Sequence, residues 1–132
     1  PNINFKGYAP NDQVRGALMN SHIFAYPSVF EETSCIAAIE ALAAGCRVVT
    51  TNYGALPETC GSFARYVEFE TDAGRLIENY ATALDEEMNN IYSTETKQDL
   101  DLQINHYNTR WSVVQRIKTW EAFLGQADTN SG

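Results

Sequence analysis

Up to about residue 72, short apolar runs alternate with stretches of helical period; beyond it the period is helical throughout. Residues 3–7, INFKG, alternate apolar and polar and stop at a glycine, which predicts a strand. Tyr8-Ala9-Pro10 is a turn. Asn11 or Asp12 can cap a helix with Val14, Ala17 and Leu18 on its apolar face, ending near Asn20-Ser21. Residues 23–26, IFAY, form a compact apolar run stopped by Pro27, the pattern of a buried strand. A polar turn over 28–34 leads to an alanine-rich helix over 35–44, with Gly45 as its C′ residue. Arg47-Val48-Val49-Thr50 is short and β-branched, a third strand. Residues 51–54 read as a loop, Leu56-Pro57-Glu58 as a short helical turn, and Tyr66-Val67 with Phe69 as a weaker fourth strand.

Past Asp72, Leu76, Ile77, Tyr80 and Leu84 mark a helix over 73–90. Leu100, Ile104 and Tyr107 mark one side of another over 94–106. Trp111, Val114, Ile117, Trp120, Phe123 and Leu124 give a last amphipathic helix, whose stripe reads as packing. Residues 126–132 are small and polar and read as a flexible tail after one domain over 1–125. The alternation predicts an α/β fold: a Rossmann-like open parallel sheet of about four strands, flanked by helices on both faces, with a helical C-terminal segment.

Composition narrows the partners. The chain has 132 residues, 44% hydrophobic and 20% charged, and is expected to be globular. Its net charge of −8 argues against nonspecific binding to nucleic acid or to an anionic membrane surface. No apolar run approaches the roughly 20 residues that span a bilayer, and a cytoplasmic location, at most peripheral to a membrane, is the expectation. Cys35, Cys46 and Cys60 form no C-x-x-C pair; they read as small hydrophobes in a reducing compartment. No metal site is expected. The first residue, Pro1, reads as the start of a piece of a longer protein or as a processed terminus.

The candidate chemistry lies between residues 26 and 45. In an open parallel sheet, ligands bind at the carboxyl ends of the strands. Ser34 is the expected N-cap, which leaves the N–H groups of Cys35, Ile36 and Ala37 facing outward, a ready site for a phosphate. The same helix end would make the Cys35 thiol more acidic. At about 100° per residue, Ile36, Ile39, Leu42 and Ala43 fall on one core stripe, and Glu40 lies about 40° beyond Ile36, beside Ala37 and Ala44. A carboxylate among methyl groups is costly unless a donor meets it, and a ribose would fit there. Glu32, before the helix, can reach a second group beyond the phosphate. From spacing alone Glu40 also reads as a solvated helix residue, and Glu31-Glu32 as a complement to the helix dipole.

The stretch YPSVFEETSCIAAIEALAAGCRVVTTNYGALPE resembles the donor-binding half of retaining GT-B glycosyltransferases that carry the E-x7-E motif. The likeness rests on Pro27-Ser28, Glu32 and Glu40 in register, Glu40-Ala41 leading to Ala44-Gly45, Val48-Val49, and Gly54 with Pro57-Glu58, with Phe5-Lys6-Gly7 and Asn20-Ser21 upstream. It covers about residues 3–67. The resemblance implies that Glu32 contacts the donor sugar and helps stabilise the reacting centre. It implies that the backbone at Thr33, Ser34, Cys35 and Ile36 holds sugar and phosphate, that Glu40 binds the ribose hydroxyls, and that Tyr8 lies near the base. The family commonly has Gly-Phe-Gly after the first glutamate, where this chain has Thr33-Ser34-Cys35. That departure bears on how closely the backbone approaches the sugar, with the Thr33 and Ser34 side chains as alternative contacts.

The implied substrate is a nucleotide diphosphate sugar, used without a metal or other cofactor, and the acceptor is a glycan, a lipid or a small molecule. The family's arginine-lysine pair and its acceptor-binding domain would precede Pro1, so the chain by itself should not catalyse transfer. Lys6 and Arg47 are the nearest basic residues, and Arg47 reads as a strand start. Exposed helices of such a shortened chain would favour dimerisation. A nucleotide-sugar epimerase and a non-catalytic sugar-nucleotide sensor or interaction domain are the other readings.

Overall fold

The computed structural model describes residues 2–110 and 112–130, without the side chains of Val113, Val114 and residues 127–130. Three parallel strands, β1 (Ile23–Tyr26), β2 (Arg47–Thr51) and β3 (Ala64–Val67), lie in that order. Phe24 pairs with Val48 and Val48 with Ala64. The described residues also form six α-helices: α1 (Asn11–Met19), α2 (Ile36–Ala43), α3 (Leu56–Cys60), α4 (Ala73–Asn90), α5 (Thr94–Arg110) and α6 (Val113–Asn130).

The central strand β2 divides the core. Successive strand residues face opposite sides, so Val48 and Val49 enter two different clusters. On one side Val48 packs with Leu18, Ala38, Ala41, Leu42, Leu56 and Tyr107, from α1, α2, α3 and α5. On the other side Val49 packs with Val67, Leu76, Tyr80 and Ala83 under α4. Both faces are therefore covered, as a parallel sheet requires. The Tyr80 hydroxyl donates to the Val49 carbonyl at 2.7 Å and satisfies its polar end inside the second cluster.

Gly45, at φ +88°, ends α2 in the left-handed region as the sequence suggests. The fully buried Gln103 of α5 donates from Nε2 to the carbonyls of Leu42 and Cys46, both at 2.9 Å. One amide thereby satisfies two acceptors at the C-terminal end of α2.

Several expectations are corrected. Residues 3–7 form no strand; Ile3 and Phe5 are 93% and 91% exposed. Alternation announces a face that seeks burial, but a strand also needs a neighbour to pair with, and the described residues bring none alongside. The sheet has three strands rather than four for that reason. The core stripe of α2 is also rotated from the one expected. Ala38, Ala41 and Leu42 are buried, whereas Ile36 is 69% exposed. A helix apolar nearly all round does not define its own inner face, and alanines let it lie close to the sheet.

The apolar stripe of α6 is not packed: Ile117, Trp120, Phe123 and Leu124 are exposed, with Trp120 and Phe123 in edge-to-face contact with each other. Trp111 and the side chain of Val114, expected at the start of that stripe, lie outside the described residues. The helix continues to Asn130, through most of the segment read as a tail; residues 131–132 lie outside the described part. Among the described residues no helix is long and apolar enough to cross a membrane.

Candidate functional site

The carboxyl ends of β1 and β2 lie side by side, and buried threonines of β2 tie the loop after β1 down. Thr50 Oγ1 donates to the Tyr26 carbonyl at 2.8 Å and Thr51 Oγ1 to the Ser28 carbonyl at 2.7 Å. The loop after β2 then meets the loop after β1. The Ala55 N–H donates to the Glu32 carbonyl at 2.9 Å, and Gly54, at φ +60°, lies flush against the Glu32 backbone. The main chain of Glu32 is thus fixed by contacts far along the sequence.

The Glu32 side chain turns toward the protein. Oε1 accepts a hydrogen bond from the Tyr26 hydroxyl, and Oε2 is buried with no partner. This bond to the carboxylate is the main reason that the Tyr26 phenol is pushed up to about 12, with burial second. Cys35 is close by, and burial pushes its thiol up, with a hydrogen bond from the Ala38 N–H opposing and Glu32 adding to the rise. The acidic thiol expected at this helix end is therefore corrected: loss of solvent outweighs the helix terminus.

The helix start is also corrected. The N-cap of α2 is Cys35, at φ −103° and ψ 93°, not Ser34, and no side chain caps the first turn. Thr33, Ser34 and Ile36 are exposed beside that open end. Its outward N–H groups and positive dipole end are suited to an anion.

Glu40 has a different neighbourhood. It is half-buried on α2, and its Oε1 is 3.4 Å from Nε of Arg15 on α1, with side-chain exposures of 33% and 62%. It lines a depression of about 510 Å³ with Leu18, Met19, Ala43, Ala44, Ile104 and Asn108, between α1, α2 and α5. Ala44 lies beside it as the helix geometry suggests, but an arginine had no place in that reading. The two glutamates thus sit on one helix-loop unit with separate sets of neighbours.

Tyr26, Arg15 and the Gly54 contact were not read from the sequence as parts of this site. Tyr26 stands at a strand end six positions before Glu32, which is the one signal that could have marked it. Arg47 occupies the strand start assigned to it and pairs with Glu87 of α4 at 3.1 Å, away from the site. Among the described residues no group of three or more His, Cys, Asp or Glu side chains is placed to hold a metal ion.

One family profile, that of the glycosyl transferases group 1, matches residues 1–109. No curated protein and no solved structure matches the chain.

Proposed function

Because the chain belongs to the glycosyl transferases group 1 family, we propose that it is the domain of a retaining glycosyltransferase that binds the nucleotide-sugar donor. The observation that carries this reading is the uncapped start of α2 at the carboxyl ends of the parallel strands, next to the Glu32 carboxylate. The diphosphate is an anion for that helix end, and a sugar hydroxyl is a donor for the neighbouring carboxylate.

In this reading the nucleotide's phosphates lie at the first turn of α2, near Ser34, Cys35 and Ile36. The ribose hydroxyls donate to Glu40, exchanging the weak, exposed pairing with Arg15 for neutral donors. The sugar's bond to the diphosphate breaks, the leaving diphosphate takes the electron pair, and the dipole end of α2 offsets its charge. Glu32 holds the sugar and its charge stabilises the positive character that develops on the ring. The acceptor, a glycan, lipid or small molecule, then bonds to the anomeric carbon through its hydroxyl oxygen, and the hydroxyl proton passes to the leaving diphosphate. No metal or other cofactor belongs to this reading, and the acceptor would be held by a further domain.

Titration calorimetry with UDP, GDP and ADP tests the proposal. The protein should bind at least one nucleoside diphosphate, and Glu40→Ala should weaken that binding by roughly tenfold or more, the loss of a hydrogen bond to a charged group. Unchanged affinity in the variant removes the ribose assignment.

A further inference from the structure

We propose that the depression between α3, α5 and α6 binds a phosphate group, held by the guanidinium groups of Arg110 and Arg116. It is a second site, built on other elements than the donor site, and it does not depend on the donor reading.

The depression has a volume of about 650 Å³ and is lined by Glu58 of α3, Thr109 and Arg110 of α5, and Gln115, Arg116 and Thr119 of α6. That volume suits a small ligand. All six lining residues are exposed, so a solute reaches them directly from the surface. None of them belongs to α2 or to the loops after β1 and β2. The course of α5 explains the separation. Just before this helix, Tyr92 meets the ring of His22, which precedes β1. Its Gln103 donates to the Cys46 carbonyl, ahead of β2, and its Tyr107 to the Thr59 carbonyl, ahead of β3, at 2.7 Å. The helix thus passes the amino ends of the strands, whereas the donor is placed at their carboxyl ends.

Charge gives the depression its chemistry. The chain is acidic, with a net charge of −8, and Arg15, Arg47, Arg65 and Arg75 each lie against a glutamate. Two other depressions, of about 470 and 510 Å³, hold one basic side chain each, Lys6 and Arg15. Here two guanidiniums share one opening with a single carboxylate. Like charges in one hollow repel, and an anion between them offsets that cost. Each guanidinium is a planar fork of donors that matches the oxygens of a phosphate. Thr109 and Gln115 bring neutral donors to the same opening. Thr119 brings none, because its hydroxyl donates to the Gln115 carbonyl at 2.9 Å. Arg110 also stands in the last turn of α5, where a cation suits the carbonyl end of the helix. That role shows in stability and not in affinity for an anion.

A phosphate group reaches such a site on a soluble ester or on a lipid headgroup, and two assays on the full chain separate these sources. Calorimetry uses inorganic phosphate and glucose 6-phosphate. Co-sedimentation uses phosphatidylcholine vesicles with and without phosphatidic acid. Binding of the free phosphates is expected for a soluble ester, and retention only by the phosphatidic acid vesicles for a headgroup. A double variant, Arg110→Gln with Arg116→Gln, is expected to weaken that binding by roughly tenfold or more. Its thermal midpoint checks the fold, and its affinity for nucleoside diphosphates is expected to stay unchanged. Glu58→Gln removes a repelling charge and is expected to tighten phosphate binding roughly threefold.

Binding of neither the free phosphates nor the vesicles overturns the proposal. Binding that the double variant retains overturns it too: the anion then sits elsewhere, as at the start of α2, and the donor reading is untouched. A double variant that loses phosphate and nucleoside diphosphate together shows one shared site and overturns the second. Should the double variant fail to fold, Glu58→Gln decides, and unchanged or weaker phosphate binding in it rejects the site. A wild type that binds phosphate here but no nucleoside diphosphate ends the donor reading and leaves this site standing.

Discussion

Gly54 and Glu32 meet backbone to backbone: a Cβ added at Gly54 would lie 2.8 Å from the Glu32 nitrogen and 2.9 Å from its carbonyl oxygen. The two residues belong to the loops after β2 and β1, and their contact sets where the glutamate's main chain can be. Gly54 also has φ +60°, a conformation that side-chain-bearing residues adopt at a cost. Gly54→Ala is therefore expected to reduce stability by about 1–3 kcal/mol and to displace Glu32. Urea unfolding reads the first effect, and calorimetry with the best-bound sugar nucleotide reads the second. A variant with wild-type stability and affinity would show that the loops part without consequence.

Gln103 joins α5 to the end of α2 through two bonds from one nitrogen. Gln103→Leu keeps most of the volume but leaves the Leu42 and Cys46 carbonyls without that donor. Its own Oε1 is buried and unmet, which offsets part of the loss. A net destabilisation of about 1–3 kcal/mol is expected, seen as a lower urea midpoint at unchanged slope. Faster amide hydrogen exchange in α2 should accompany it, and equal exchange would speak against the clamp.

Arg15 and Glu40 form an exposed pair, and such pairs add little to stability. Arg15→Ala should change stability by less than about 0.5 kcal/mol. Because the carboxylate remains and loses a competitor, affinity for the nucleoside diphosphate should not fall. A marked loss of affinity would instead make Arg15 a direct ligand contact.

Burial pushes Cys60, Tyr80 and Tyr107 up to about 12, and the bond to Glu32 brings Tyr26 to about the same value. In the unfolded chain the thiol and the phenols return to their ordinary values of 9.0 and 10.0. Between roughly pH 9 and pH 12 the folded state therefore holds more protons than the unfolded one, and stability falls as pH rises. These groups contribute their full stabilisation below that window. A urea midpoint that drops steadily above about pH 9 is the expected result; a midpoint that rises there would contradict the sign.

The elements that depend on local pattern were legible in the chain. The run 23–26, the helix over 73–90 and the Gly45 stop need only their own residues, because period, propensity and a positive φ are properties of a short segment. Membership in the glycosyl transferases group 1 family was legible too, from the stretch around Glu32 and Glu40. What needed a partner was not. Residues 3–7 carry a strand's alternation, yet a strand exists only with a neighbour. The inner face of α2 was chosen by what packs on it, since isoleucines and alanines surround it on nearly every side. The direction of a carboxylate follows its nearest donor in space. For Glu32 that donor is Tyr26 across a strand end, and for Glu40 it is Arg15 from another helix, pairings that only the folded chain brings about.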